Sequence, residues 1–263
     1  MAESANQQET RKTKTVFAVL AGIVRPAMNA LIGKTWKGFE SLPEGGFILC
    51  VNHTTKIDPL VVGHALYSHG RLPRWLAKES LFTAPVIGWV MKSTGQVPVA
   101  RKSSSAGESL LAAKQVLDAG GVIVIYPEGT LTREPNLWPM KGHTGAARLA
   151  LQTGAPVVPL AHWGDQELLP RYGKKLSLFP RKHVVVSVGQ EVDLDDLRGG
   201  PRTRSILQEA TDRIMGRITG LQAELRGETP PASFWDPAEH GQAATGSRYE
   251  TKKPTTDDKN KPA

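Results

Sequence analysis

Hydrophobic positions along the 263 residues follow two periods. Short runs rich in Val and Ile, bounded by Gly, Pro or polar residues, predict strands at 47–52, 75–77, 96–99, 122–126, 157–162 and 184–188. Between most of them, apolar residues recur at helical spacing over 58–69, 84–93, 106–119 and 141–153. Ser105 and Glu108 form a capping box at the start of the third helix, and Gly120-Gly121 ends it. A last helix over 201–226 lines up Ile206, Ala210, Ile214, Ile218, Leu221 and Leu225 on one face. Strands that are apolar throughout and alternate with helices imply an α/β fold. Its central sheet is mixed and largely parallel, covered by helices on both faces.

The two ends of the chain read differently. Residues 13–33 form an amphipathic segment, two short helices broken at Pro26, with Arg11, Lys12, Lys14, Arg25, Lys34 and Lys37 around it. Its apolar stretch at 16–24 is too short to span a bilayer, and no small-residue cleavage site follows it. Two readings stand for this segment: an interfacial anchor, or a helix packed on its own domain. After Gly227 the chain turns to Pro, Gly, Thr, Asp and Lys, which predicts a disordered polar tail on which only Phe234 and Trp235 could dock. The expected divisions are therefore a membrane-associating segment at 1–34, an α/β domain at 35–226 and a tail at 227–263.

Composition narrows the partners. A net charge of +8 favours an anionic surface or ligand. The one cysteine, Cys50, sits inside an apolar run, where it can form neither an internal disulfide nor a Cys-pair metal site, and suits a buried position in a reducing compartment. Residues 170–183 carry five Lys and Arg and no acid, interleaved with Tyr172, Leu176, Leu178 and Phe179. That patch fits a membrane-facing rim, a nucleic-acid surface or a plain solvated loop.

Candidate chemistry begins at VNHTTKIDPL, residues 51–60. His53 falls just past a strand, where open α/β sheets place their sites, and Asp58-Pro59 opens a helix. The tight turn between them can fold Asp58, a preferred N-cap, back onto the imidazole. The carboxylate then accepts the proton of one ring nitrogen and leaves the other free as a base. A His-x4-Asp spacing is common by chance, so further residues must support it. Tyr126-Pro-Glu-Gly-Thr130 follows another strand, Met140-Lys-Gly-His-Thr-Gly145 opens a helix, and Ala155-Pro-Val-Val-Pro159 opens a further strand.

Together these blocks resemble the glycerolipid acyltransferases related to bacterial 1-acylglycerol-3-phosphate acyltransferase. The four family blocks fall in family order at 52–58, 95–101, 126–133 and 155–159, within a resemblance that covers about 36–189. Two positions depart from the pattern. Pro98 stands where the family has an aromatic residue, and Leu131 stands where it has an arginine, with Arg133 two residues later. The resemblance implies a glycerolphosphate acyltransferase-like fold. It also implies acyl transfer from acyl-CoA or acyl carrier protein to a lysophospholipid hydroxyl at an anionic membrane surface on the cytoplasmic face, with no metal, cofactor or nucleic acid. Lysophosphatidic acid leads as acceptor, ahead of glycerol 3-phosphate or another lysophospholipid.

The same resemblance distributes the roles. His53 is the base and Asp58 its partner; Asn52 lies in the substrate-binding block. Arg101 holds the acceptor phosphate and Arg133 is a second phosphate contact. Glu128 orients the acceptor or the site loops, beside donors from Gly129 and Thr130. A thioester is already activated, so removing the alcohol proton is the main chemical need. The chain has no Gly-x-Ser-x-Gly elbow, which argues for direct attack and against a serine hydrolase. A membrane-bound scaffold without turnover is the remaining class, opposed by the intact His53, Asp58 and Glu128. His143 and His162 read as structural histidines.

Overall fold

Alternate residues of strand β2 (Phe47–Val51) enter two different cores. Ile48 and Cys50 face one, Phe47, Leu49 and Val51 the other, and all five are fully buried. Strand β5 (Val122–Ile125) divides the same way. A strand apolar on both faces must lie in the middle of a sheet with cover on each side. The computed structural model describes residues 2–99 and 106–243. In chain order the remaining strands are β1 (Ile32–Lys37), β3 (Pro73–Lys78), β4 (Val97–Val99), β6 (Val157–Trp163) and β7 (Lys182–Val188). The helices are α1 (Ala2–Leu31), α2 (Asp58–Ser68), α3 (Pro85–Ser93), α4 (Ala106–Asp118), α5 (Gly145–Thr153), α6 (Asp165–Leu168) and α7 (Arg204–Arg226).

The seven strands form one sheet in the order β1-β7-β6-β2-β5-β3-β4. Every neighbouring pair is parallel except β6 and β7. Residues of α4, α5 and α7 complete one core; residues of α1 and α2 complete the other. The mixed, largely parallel α/β architecture read from the sequence is therefore the one adopted. Cys50 is an ordinary core residue, its thiol pushed up by burial.

Several boundaries differ from the sequence reading, each for a local reason. The sheet starts at Ile32, inside the segment expected to be a separate N-terminal helix, and β1 pairs along its length with β7. This strand escapes notice because it is an edge strand, Ile-Gly-Lys-Thr-Trp-Lys, with little apolar alternation. Helix α1 runs unbroken through Pro26 rather than as two pieces. Proline forfeits the bond to the carbonyl of Gly22, and Gly22 is exposed, so water can satisfy that group. Residues 11–31 are also long and apolar enough to cross a membrane by length and composition, contrary to the expectation of no such segment. Helix α5 begins at Gly145 rather than 141, because the Lys141 and His143 amides donate outside the helix, to Trp235 and Pro127 carbonyls.

The C-terminal side also departs. Helix α7 starts at Arg204, with the Thr203 hydroxyl capping the Ile206 amide. Residues 227–243, expected to be disordered, include a docked stretch. Phe234 packs on the core, Trp235 bridges Met140, and Lys141 pairs with Asp236 at 2.7 Å. Residues 244–263 lie outside the described residues.

One face of α1 belongs to the domain and the other does not. Phe17 and Met28 are buried, whereas Val19 and Ile23 are 61% and 68% exposed. Ile32 is wholly buried where helix gives way to strand. Ile32→Ala should therefore lower unfolding free energy by about 2–5 kcal/mol, as large-to-small core changes do. Ile23→Ala should cost less than about 0.5 kcal/mol. Urea midpoints of the two variants check this, and truncation through residue 34 should destabilise the whole domain rather than merely release an anchor.

Candidate active site

The turn from β2 to α2 is built around a carboxylate. Asp58 is the first helical residue, not the cap; Ile57 holds the cap position. The side chain turns back on the residues before the helix. Its oxygens accept the Thr54 amide at 2.8 Å and the Thr55 amide at 3.0 Å, and His53 Nδ1 lies 2.9 Å from Oδ2. A carboxylate facing Nδ1 requires a proton on that nitrogen, which leaves Nε2 as the basic one. Asp58 is completely buried, while the His53 side chain is 18% exposed. The Tyr126 ring stacks on the imidazole, centroids 4.0 Å apart and planes 19° from parallel, and fixes its tilt.

Glu128 locks this turn to the next loop. Its Oε1 accepts the His53 amide at 2.9 Å and its Oε2 accepts the Met140 amide at 3.1 Å. The Thr132 amide in turn donates to the His53 carbonyl at 2.7 Å. Burial pushes the Glu128 carboxyl up to about 8, against the pull of the Met140 and His53 amides. Gly129 sits at φ 68°, in the left-handed region, and turns the chain tightly enough for its amide to reach the Tyr126 carbonyl.

Behind Asp58 lies a group the sequence reading set aside. The Asn52 amide donates to the His162 carbonyl at 3.1 Å, and its Oδ1 accepts the His162 amide at 3.0 Å. His162, on β6 and fully buried, sets Nε2 2.9 Å from the Asn52 carbonyl and 3.5 Å from Asp58 Oδ2; Nδ1 is 3.0 Å from Asp165 Oδ1. Burial alone would raise the Asp58 carboxyl, yet the charge on His162 and bonds from His162 and His53 hold it well below the usual range. Burial opposes charge on His162, but Asp165 and Asp58 outweigh it and raise that imidazole. The ligand atoms of Asp58, His162 and Asp165 lie within 4.8 Å of one another, close enough to hold a metal ion. The Asn52 carbonyl argues for a different filling, since an acceptor opposite Nε2 demands an N–H there rather than a lone pair.

An apolar cavity of about 540 Å³ opens beside the imidazole. His53, Tyr126 and Gly129 line it together with the polar Arg25, His64, Lys78, Thr94 and Gln96; Phe17, Val24, Leu60, Trp75 and Met91 are among its apolar walls. Asn52, expected to touch substrate, is instead buried with its amide committed to His162, so it positions the turn. Glu128 is likewise buried and ties loops together, on the edge of a second cavity of about 370 Å³. Thr130 is half-buried in the same loop. Arg133 is completely covered, so a ligand phosphate would reach it only if its turn opened. Arg101 lies outside the described residues. His162 was read as a structural histidine and Asp165 was not singled out, because no spacing links them to His53; only the β2–β6 pairing does.

Comparison with known proteins follows the same blocks. A family model described as Acyltransferase matches residues 35–163. A chloroplastic 1-acyl-sn-glycerol-3-phosphate acyltransferase of Brassica napus is 31% identical over 170 residues, 59% of this chain and 48% of that protein. The chain spans about half the length of such plant relatives. A 1-acyl-sn-glycerol-3-phosphate acyltransferase of Streptococcus pneumoniae is 22% identical over 88% of this chain and 83% of its own. The crystal structure of the 1-acyl-sn-glycerophosphate acyltransferase PlsC from Thermotoga maritima superposes with a TM-score of 0.59 at 22% identity, covering 83% of both chains, a likeness of fold.

Glu128→Ala would strand the His53 and Met140 amides without acceptors. The expected loss is about 1–3 kcal/mol for each buried donor, read as a fall in denaturant midpoint together with lost activity. A variant as stable as the parent would show that the two loops hold without this carboxylate.

Proposed function

The chain belongs to the acyltransferase family that includes the 1-acyl-sn-glycerol-3-phosphate acyltransferases, and on that premise we propose that it acylates lysophosphatidic acid to phosphatidic acid. The observation that carries the reading is an imidazole, oriented by a buried carboxylate, that lines a largely apolar cavity. Its volume of about 540 Å³ lies in the range of small-ligand sites, and its walls suit a fatty chain.

The chemistry needs no acyl-enzyme. His53 Nε2 takes the proton of the acceptor hydroxyl as that oxygen attacks the thioester carbonyl. The new C–O bond forms, the C–S bond breaks, and the departing thiolate regains the proton from the imidazolium. Asp58 fixes the tautomer and stabilises the charged ring. Acyl-CoA or acyl carrier protein supplies the thioester, and Arg101 meets the acceptor phosphate. The enzyme works on the cytoplasmic face of an anionic membrane. Helix α1 lies along that surface rather than across it, because Phe17 and Met28 tie one face to the domain while Val19 and Ile23 stay outward.

Thioester release from acyl-CoA in the presence of lysophosphatidic acid tests the reaction. His53→Ala should remain folded and lose nearly all turnover, and Asp58→Asn should be severely impaired; normal release by either overturns the mechanism. Arg101→Ala should weaken use of phosphorylated acceptors by about 1.5–3 kcal/mol, with partial rescue by lysine. An unchanged acceptor KM and kcat would remove Arg101 from the site. Replacing Val19 and Ile23 together by Asp should shift the protein off anionic vesicles while leaving activity on detergent-dispersed acceptor intact. Undiminished pelleting would place the anchor elsewhere, with exposed Leu176, Leu178 and Phe179 the next to change.

A further inference from the structure

The His53–Asp58 pair does not end at Asp58. Four side chains from three parts of the fold follow one another: His53, Asp58, His162 and Asp165. The last three are completely buried, so each polar contact among them counts at close to its full desolvated value.

Hydrogen-bond logic fixes the protons. His162 Nε2 faces the Asn52 carbonyl, which only accepts, so Nε2 carries a hydrogen. That same N–H also leans toward Asp58 Oδ2 at 3.5 Å. The other nitrogen, Nδ1, faces Asp165 Oδ1 at 3.0 Å, and one further proton sits between them. On Nδ1 that proton makes His162 an imidazolium flanked by two carboxylates. Asp58 is already an acceptor for His53 and two main-chain amides, which suits it only as an anion.

We propose that His162 is a positioning residue for the reaction: an imidazolium, held by Asp165 and Asn52, that anchors Asp58 and sets how much negative charge His53 faces. It acts through Asp58 and Asn52 and does not touch substrate. The role rests on the acyl-transfer reading of His53. Asp165 and Asp58 raise His162 despite burial and so draw the shared proton toward Nδ1, whereas burial pushes the Asp165 carboxyl up to about 7 and draws it the other way. The titratable groups around the three buried members are His53, Tyr126 and Glu128.

The sign of the effect follows. A positive neighbour weakens Asp58 as an electrostatic partner for His53. Without it, the His53 imidazolium gains stability, and the base stays protonated to a higher pH. The acidic limb of kcat against pH should therefore move upward.

Two variants separate this from simple loss of packing. His162→Gln keeps an amide N–H near the Nε2 position and removes the charge. Asp165→Asn keeps the side-chain shape and can donate to Nδ1, leaving the imidazole neutral with its Nε2–H in place. Both should lower kcat tenfold or more, leave the acceptor KM within twofold, and displace the acidic limb upward. Turnover within twofold of the parent, or an unmoved limb, overturns the proposal. A ring spectrum covers the case in which neither variant folds. Imidazole ¹H–¹⁵N signals of the intact protein should show both His162 nitrogens protonated at neutral pH, and a bare ring nitrogen there also overturns it. A parent protein that releases no thioester sinks the transfer reading alone, and the ring spectrum still decides the charge on His162.

Discussion

A buried carboxylate at the mouth of a strand organises this protein. Asp58 is sealed from solvent yet carries charge, which a protein interior tolerates only when donors surround it. Its donors are two amides of the preceding turn, the His53 imidazole, and the ring of a residue on the neighbouring strand. Satisfying that one group bends the β2–α2 turn, orients His53 and presses β2 against β6. Local chain geometry, sheet register and catalytic alignment are thus one problem with one solution.

The same economy explains how loops distant in sequence meet. Asn52 and His162 exchange main-chain and side-chain bonds across 110 positions, and Glu128 bridges the amides of His53 and Met140. Each contact satisfies polar backbone where a strand has ended, where no sheet partner remains to do so. Polar groups that the family blocks present as substrate contacts, Asn52 and Glu128, are consumed in this framework. Of the blocks at 52–58 and 126–133, what faces the cavity is the imidazole, the Tyr126 ring and the Gly129 turn.

The sequence made the sheet class, the strands from β2 to β7 and the His53–Asp58 pair legible, because each is written in local pattern. Ile-Val runs mark strands, and a carboxylate at a helix start within reach of an imidazole marks the dyad. Strand β1 was not legible, since an edge strand needs apolar residues on one face only and Ile-Gly-Lys-Thr-Trp-Lys gives a weak alternation. The docking of Phe234 and Trp235 was legible only from the two aromatic side chains themselves, which outweigh a polar composition that reads as disorder. His162 and Asp165 lie beyond any local pattern. Their partner is a hundred residues away, and only the parallel pairing of β2 with β6 brings them behind Asp58.

Helix α1 joins the site to whatever lies outside it. Phe17, Leu20, Ala21 and Val24 wall the cavity that ends at His53, while Val19 and Ile23 on the same helix point away from the domain. The helix thus has one apolar face in the protein and leaves Val19 and Ile23 uncovered on another. A lipid surface would cover the outer face, and in doing so would bring lipid to the rim of the cavity. The wall of the cavity and the face that a membrane would cover are then two sides of a single element. Binding at the surface and entry to the site become coupled through the seating of α1. That seating is set at its C-terminal end, where Met28 and Ile32 enter the core and Arg181 donates to the carbonyls of Asn29 and Ile32. The helix is therefore anchored where it meets the sheet, and the residues with which it walls the cavity lie on the stretch before that anchor.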